Sequence, residues 1–165
     1  MLAVKLVIEG LGLGFLLYLI CAFGIHNGAV GMVHLYDQKV QDRVVALGLT
    51  TGEMIRKRSV RFKSLCPPGY LIYVLLCVYL VNGARGFWPG FWQGFVILSV
   101  MNLIDRLLID EYWVGHTRDW VIPGTEDLRP YISASDKKKK WIMGTVGMAV
   151  IAAVLSAVMS HILYS

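Results

Sequence analysis

Long apolar stretches alternate with short polar ones along the 165 residues of the chain. A helix needs about 20 mainly apolar residues to cross a bilayer. The first stretch, Leu6–Ile25, has this length, and we expect helical character to continue through Gly28 to His34. A cleaved signal peptide is the alternative, but a positively charged start followed by a small-residue cleavage site is missing. We therefore predict a retained span over residues 6–34.

Two further spans are predicted on either side of a tight turn. Pro67-Pro68 marks a helix start, because proline is tolerated in a first turn and blocks helix before it. The second span is predicted over residues 68–88 and the third over residues 89–113, with Trp88 and Trp92 as interfacial anchors.

The fourth span, residues 141–163, directly follows the four lysines Lys137–Lys140. Together the four spans predict an all-α fold, a four-helix transmembrane bundle that forms a single membrane domain over residues 1–165. In the polar segments 35–67 and 105–140 we expect amphipathic helices, because Asp37–Val60 alternates apolar and charged residues at helical spacing.

The distribution of basic residues predicts the orientation in the membrane. Of the 16 Lys and Arg residues, seven lie in Lys39–Lys63 and seven in Arg106–Lys140. Short loops rich in Lys and Arg stay in the cytoplasm. We therefore expect a multi-pass protein of a bacterial inner membrane, with both termini outside and both polar segments cytoplasmic.

The amino-acid composition also supports a membrane protein. Apolar residues make up 56% of the chain and charged residues 16%. The net charge of +5 fits attraction to anionic membrane lipid, and no nucleic-acid partner is predicted, because no basic stripe is interleaved with stacking aromatics. The three cysteines are expected to be reduced thiols.

Closely spaced glycines mark the first span. Small residues four apart let helix backbones approach closely in lipid, so a Gly10/Gly14 face predicts either a homo-oligomer or tight packing within one bundle, which we favour. His26 and His34 would share a face of the same helix about 12 Å apart, a separation that favours buried hydrogen bonds over a shared ion.

The densest polar stretch begins at the inner end of the third span. The helical period aligns six residues on one face: Asn102, Asp105, Arg106, Asp110, Trp113 and His116. Carboxylates and imidazoles carry protons or hold metals, so Asp105, Asp110 and His116 are the candidate catalytic groups. A divalent metal is one option, and its candidate ligands are Asp105, Asp110, Glu111 and His116. The candidate substrate-binding residues are Asn102, Arg106, Trp113, Arg118, Thr125 and Glu126, with Arg106 or Arg118 as a clamp for an anionic group.

A turn and a short helix are predicted after this stretch. Pro123-Gly124 favours a type II turn, with glycine supplying the positive φ. Thr125 then caps a short helix, whose free N–H groups could receive a phosphate or carboxylate. Glu126 and Asp127 disfavour a strongly anionic ligand there unless a divalent cation intervenes.

The same polar residues also have a structural interpretation. Ion pairs between the acidic cluster and the basic first segment could interlock the inner ends of the bundle. The chain has no HExxH, CxxC, P-loop or nucleophile-elbow motif, so the chemistry of a working site stays open. We favour a working site slightly, because many polar residue types converge at one depth.

One block of residues, at the end of the third span and beyond it, resembles a group of known proteins. The arrangement Asp105-x4-Asp110-x2-Trp113, followed by Trp120 and Ile122–Glu126, resembles small multi-pass bacterial membrane proteins that have no assigned activity. In topology the chain is similar to the small four-helix membrane enzymes of glutathione and eicosanoid metabolism, which implies a site on the cytoplasmic side. Their Arg/Asn/Glu helix pattern is not present here.

Two function hypotheses follow. The first is an enzyme that acts on a lipid or other amphiphile at the cytoplasmic membrane boundary, with membrane lipid as its partner. The second is a small oligomeric transporter or channel, or an accessory subunit of a membrane complex. Between Phe91 and Met101 the third span carries only Gln93 and Ser99 as polar residues, which disfavours an ion path.

Overall fold

The computed structural model describes residues 1–164, and all regular structure within that range is helical. Four helices are long and apolar enough to cross a membrane: Leu2–Ile25, Gly52–Val81, Phe87–Val114 and Ala134–Leu163. The prediction of an all-α protein with four such helices is confirmed.

Helix α1, Leu2–Ile25, ends earlier than predicted. Gly28 adopts φ 100°, outside the helical region, and a 3₁₀ segment, Ala29–Leu35, follows it. A backbone with positive φ breaks the i to i−4 hydrogen-bond ladder, and glycine adopts it at little cost. The predicted continuation of the helix to His34 is therefore wrong, and His26 and His34 do not share a helix face.

The next two helices lie in the first polar segment. Helix α2 covers Gln38–Ala46 and buries Val40 and Val44, whereas Val45 is exposed. Leu47, just beyond the end of the helix, is 47% exposed.

Helix α3, Gly52–Leu75, continues as π-helical turns over Leu76–Val81. It begins at Gly52, where the hydroxyl of the capping residue Thr51 accepts a hydrogen bond from the backbone N–H of Met54 at 3.3 Å. It then runs through Pro67 and Pro68, so the expected helix start at the proline pair is wrong. An interior proline costs about 3 kcal/mol, but tertiary contacts routinely outweigh local preference.

The last two helices also differ in their bounds from the predicted spans. Helix α4, Phe87–Ile104, continues as π-helical turns over Asp105–Val114. Helix α5, Ala134–Tyr164, begins before the four lysines. The hydroxyl of Ser133 accepts a hydrogen bond from the backbone N–H of Asp136 at 3.1 Å, which caps the start of the helix.

Helix α4 packs against both α1 and α5. At Gly10 an added Cβ would lie 2.5 Å from the Cβ of Val100 and 3.0 Å from the carbonyl oxygen of Ile97. At Gly14 it would meet the side chain of Ile104. The Gly10/Gly14 face is thus filled by α4 of the same chain, as the interpretation of packing within one bundle predicted.

The two polar segments meet at one end of the bundle, which we call the basic end. The hydroxyl of Tyr36 donates to the carbonyl oxygen of Trp120 at 2.6 Å, and Arg43 forms an ion pair with Asp127 at 3.2 Å. At the opposite end, the side chain of Asn82 donates to the carboxylate of Glu9 at 2.9 Å.

We predict that Gly10→Ala destabilises the protein by about 1–3 kcal/mol, because the added methyl group overpacks a contact made by Val100 and the backbone of Ile97. Thermal unfolding in detergent measures the effect. Gly147→Ala is the matched control, since no atom lies within 4 Å of its added Cβ. Equal melting temperatures for the two variants would contradict close packing of α1 on α4.

Candidate functional site

Four of the six residues predicted on one helix face come together at the end of α4 and in its helical continuation, with Arg106 at their centre. Its guanidinium forms ion pairs with Asp105 at 2.9 Å and with Asp110, and its Nε donates to the side-chain oxygen of Asn102 at 3.4 Å. Lys140, from the start of α5, reaches the same oxygen of Asp110 at 3.2 Å. We call these five residues the Arg106 cluster.

The Arg106 cluster is mostly shielded from solvent and balanced in charge. The side chains of Arg106, Asp105 and Asp110 are 15%, 24% and 14% exposed. Two carboxylates face two cations, so no net charge is held at this depth. Removing one partner of such a pair leaves an uncompensated charge, which is far more costly than the pair itself is stabilising.

A cavity of about 540 Å³ adjoins the cluster and is lined by α1, α3, α4, α5 and the loops of the basic end. Its volume falls within the range of about 300–1,000 Å³ typical of small-molecule sites. All five cluster residues line it.

The lining changes from apolar to polar along the helices. On α4 it passes from Leu98 and Met101 to the Arg106 cluster, and on α5 from Ile151 and Met148 to Lys140. Because both helices run between the interior of the bundle and its basic end, the cavity is apolar in the interior and polar at the basic end.

Aromatic residues form the wall at the basic end. The rings of Tyr36 and Tyr131 pack edge to face at 5.1 Å between centroids, and both residues line the cavity. Burial, and next the neighbouring Tyr131, raise the pKa of Tyr36. Its hydroxyl therefore stays protonated and keeps donating to the carbonyl oxygen of Trp120.

Two residues of the lining carry buried polar atoms without a hydrogen-bond partner among residues 1–164. These atoms are the hydroxyl oxygen of Tyr70 and the indole nitrogen of Trp120. The thiol of Cys66 is near the Tyr70 hydroxyl, and a thiol forms only weak hydrogen bonds. Buried polar groups in folded proteins nearly always have partners. Both atoms can donate, so the cavity suits a ligand that carries hydrogen-bond acceptors.

Trp113 and His116, predicted on the same face, do not line the cavity. Trp113 donates to the carboxylate of Asp119 at 2.8 Å, and its ring packs against Tyr18 and Trp120. His116 is exposed and donates from Nδ1 to the carbonyl oxygen of Glu111 at 2.8 Å. A π-helical turn holds more residues than an α-helical one, so residues farther along rotate away from the predicted face.

The remaining predicted substrate-binding residues also lie outside the cavity. Gly124 has φ 83°, as the predicted type II turn requires, and Glu126–Leu128 form the short helix. Thr125 is buried and donates to the carbonyl oxygen of Ile122 rather than capping that helix. Glu126 accepts from the backbone N–H of Gly124, and Arg118 is exposed. This loop is held by its own hydrogen bonds.

The predicted metal-ligand set is not assembled. Glu111 forms an ion pair with Lys137 at 2.6 Å, and exposed His116 is held by a backbone carbonyl, whereas Asp105 and Asp110 both face Arg106. In the described part of the chain, no group of three or more His, Cys, Asp or Glu side chains could hold a metal ion.

An ion pair does link the two polar segments, as the structural interpretation expects, but other residues form it. Within residues 1–164, Asp105 and Asp110 pair with Arg106 and Lys140, and the ion pair between the two polar segments is Arg43–Asp127. Both side chains of that pair are well exposed, so it contributes little stability. Interlocking of the two segments thus does not involve the carboxylates of the cavity.

Sequence reasoning missed several residues of the cavity. Lys140 belongs to a run of four lysines that the sequence places only as the boundary of the fourth span, and the aromatic wall comes from loops whose contacts are distant along the chain. Tyr70 follows the proline pair within an apolar run, so no local signal distinguishes it from a lipid-facing residue.

We predict that Asp110→Asn lowers the free energy of unfolding by about 3 kcal/mol, because Lys140 loses its carboxylate and Arg106 keeps only Asp105, which leaves the cluster with an uncompensated positive charge. Glu53→Gln is the matched control, since it removes another i, i+4 pair whose side chains are exposed. Denaturant unfolding in detergent distinguishes them. A loss no larger than that of the control would show that the cluster does not bear on stability.

Comparisons with known proteins return no match: no family model, no curated protein and no solved structure matches this chain. The resemblance of the Asp105–Glu126 block to small bacterial membrane proteins therefore stays a prediction.

Proposed function

We propose that this polytopic membrane protein binds a lipid or other amphiphile in the cavity beside the Arg106 cluster. The apolar part of the ligand lies among Leu98, Met148 and Ile151, and its polar part meets the cluster. One observation carries the proposal: the cavity lining changes from apolar to charged along both α4 and α5.

The physical chemistry of the lining supports an amphiphile. Transfer of apolar surface from water into such a cavity contributes roughly 25 cal/mol per Å². The cluster has no net charge, which favours an uncharged or zwitterionic polar group over a strong anion. The donors of Tyr70 and Trp120 would find acceptors on that polar group.

We further propose that Asp105 is the acid–base group if the bound amphiphile reacts. Its carboxylate pairs with Arg106 alone, whereas that of Asp110 is held by both Arg106 and Lys140. Proton transfer needs a carboxyl group that lines the site and has a lone pair to spare. Asp110 then positions Arg106, and His116 has no part in the reaction.

The alternative is a transporter, channel or accessory subunit. Buried Ser156 donates to the carbonyl oxygen of Phe87 and accepts from Tyr79, so its hydroxyl serves helix packing. That use disfavours a continuous polar path through the bundle. Self-association through the Gly10/Gly14 face is disfavoured too, since α4 fills it.

For the orientation, we propose that the basic end lies in the cytoplasm of a bacterial cell. The opposite end, where α1 begins and α5 ends, then faces outward. The charge distribution supports this arrangement.

The orientation is tested with single cysteines introduced after Cys21, Cys66 and Cys77 are replaced by serine. We expect Gly83→Cys to react with a membrane-impermeant maleimide in intact cells and Lys138→Cys to react only after lysis. The reverse pattern would overturn the orientation.

The binding proposal predicts that the purified protein carries an amphiphile and that Met148→Trp, which fills the cavity, lowers its amount about tenfold. Native mass spectrometry and extraction with organic solvent measure it. Val150→Trp is the control, since Val150 lies on the same helix and is 56% exposed. Equal occupancy in the two variants would refute the cavity as the binding site.

Asp105→Asn separates binding from catalysis. We expect this variant to fold and to retain the bound amphiphile, because Arg106 and Lys140 keep their ion pairs with Asp110. If the protein is an enzyme, turnover of the identified amphiphile falls by about 10²–10⁴-fold. Unchanged turnover would show that Asp105 is not the acid–base group.

A further inference from the structure

A second cavity, of about 360 Å³, lies between α2 and α3 at the basic end. On α3 its lining residues fall on one helical face: Gly52, Ile55, Arg56, Ser59 and Lys63. On α2 it is lined by Gln38, Gln41, Asp42 and Val45, and His34 lies beside them. We call this cavity the α2–α3 groove.

Positive charge predominates in the groove. Arg56 and Lys63 have no ion-pair partner in the part of the chain that the structure describes. They stand about 10 Å apart along the helix, with the hydroxyl of Ser59 between them. The acidic lining residue is Asp42, whose carboxylate accepts a hydrogen bond from Gln38 at 2.7 Å.

His34 supplies an independent sign of a missing partner. Both of its ring nitrogens are buried and have no hydrogen-bond partner among residues 1–164, and its ring packs on Phe62 at 5.3 Å. Burial, then the charges of Arg58 and Lys63, lower the pKa of His34, so at neutral pH one ring nitrogen is an unsatisfied N–H donor. A ligand in the groove would accept from it.

The start of α3 adds to the positive electrostatic potential in the groove. Gly52 opens this helix of 24 residues and lines the groove. The first N–H groups of a helix and its dipole favour an anion at that end. Guanidinium, ammonium, hydroxyl and imidazole donors then line one space, and among its described lining residues Asp42 is the one carboxylate.

We propose that the α2–α3 groove binds a phosphate group. The forked guanidinium of Arg56 and the ammonium of Lys63 would bind its oxygens, with Ser59 and His34 as neutral donors. The phosphate belongs either to a soluble compound or to a lipid headgroup, since the groove lies where α3 emerges from the apolar part of the bundle. The groove is separate from the amphiphile cavity: Phe62 lines that cavity, and the next residue, Lys63, lines the groove.

The test uses the full chain in detergent and two probes, inorganic phosphate and a short-chain phosphatidic acid, with binding followed by calorimetry. We expect saturable binding of at least one probe. The double variant Arg56→Gln/Lys63→Gln should weaken it about tenfold or more, since charge-assisted hydrogen bonds are lost. The control, Lys39→Gln/Lys57→Gln, changes the net charge equally at residues that do not line the groove and should leave binding within about twofold.

The outcomes distinguish the possible sources of the phosphate. Equal affinity for both probes supports a soluble phosphate compound, and binding of the lipid alone supports a headgroup. Absence of binding for both probes, or equal weakening in the control, would overturn the proposal. The substituted residues are exposed, so unchanged melting temperatures are expected and any loss of binding reports on the groove.

Discussion

The compensation of charge around Arg106 is the constraint on which the basic end of the bundle depends. Two carboxylates and a second cation surround a guanidinium that is only 15% exposed. The three shielded charges, of Asp105, Arg106 and Asp110, are not stable at that depth alone, and Lys140 of α5 supplies the balancing cation from a more exposed position. Because the charges neutralise one another, the cluster presents hydrogen-bonding groups to the cavity without a strong net field.

Outside the cavity, the helices pack closely on one another. Glycines let α1 lie directly against α4, and α4 packs on α5. Helix α3 contributes lining residues to both cavities. Phe62 and Lys63, adjacent in sequence, face different spaces, which places an apolar site next to a basic groove. In the proposed functions, one molecule thus presents an amphiphile site and a phosphate site at the same membrane boundary.

The residues around Arg106 show how far periodicity predicts a site. Asn102, Asp105, Arg106 and Asp110 were expected on one face, and they meet because they lie at the end of the α-helical turns and in the first π-helical ones, where the register has changed little. Trp113 and His116 were expected there too, but the π-helical turns change the register by the time the chain reaches them. The sequence pattern thus predicts the register only for a short distance beyond the point where the helix type changes. Lys140 and Tyr36 join the site through contacts across the fold, which no spacing along the chain encodes.

The length and composition of the apolar stretches alone determined that this is an all-helical protein with four helices able to span a membrane, because those properties depend on residues near one another in sequence. Tertiary structure decided where the helices begin and end. Gly28 stops α1 early, whereas α3 passes through Pro67 and Pro68. It also decided which polar residues meet, since a cavity exists only between elements, and its lining depends on how distant segments pack together.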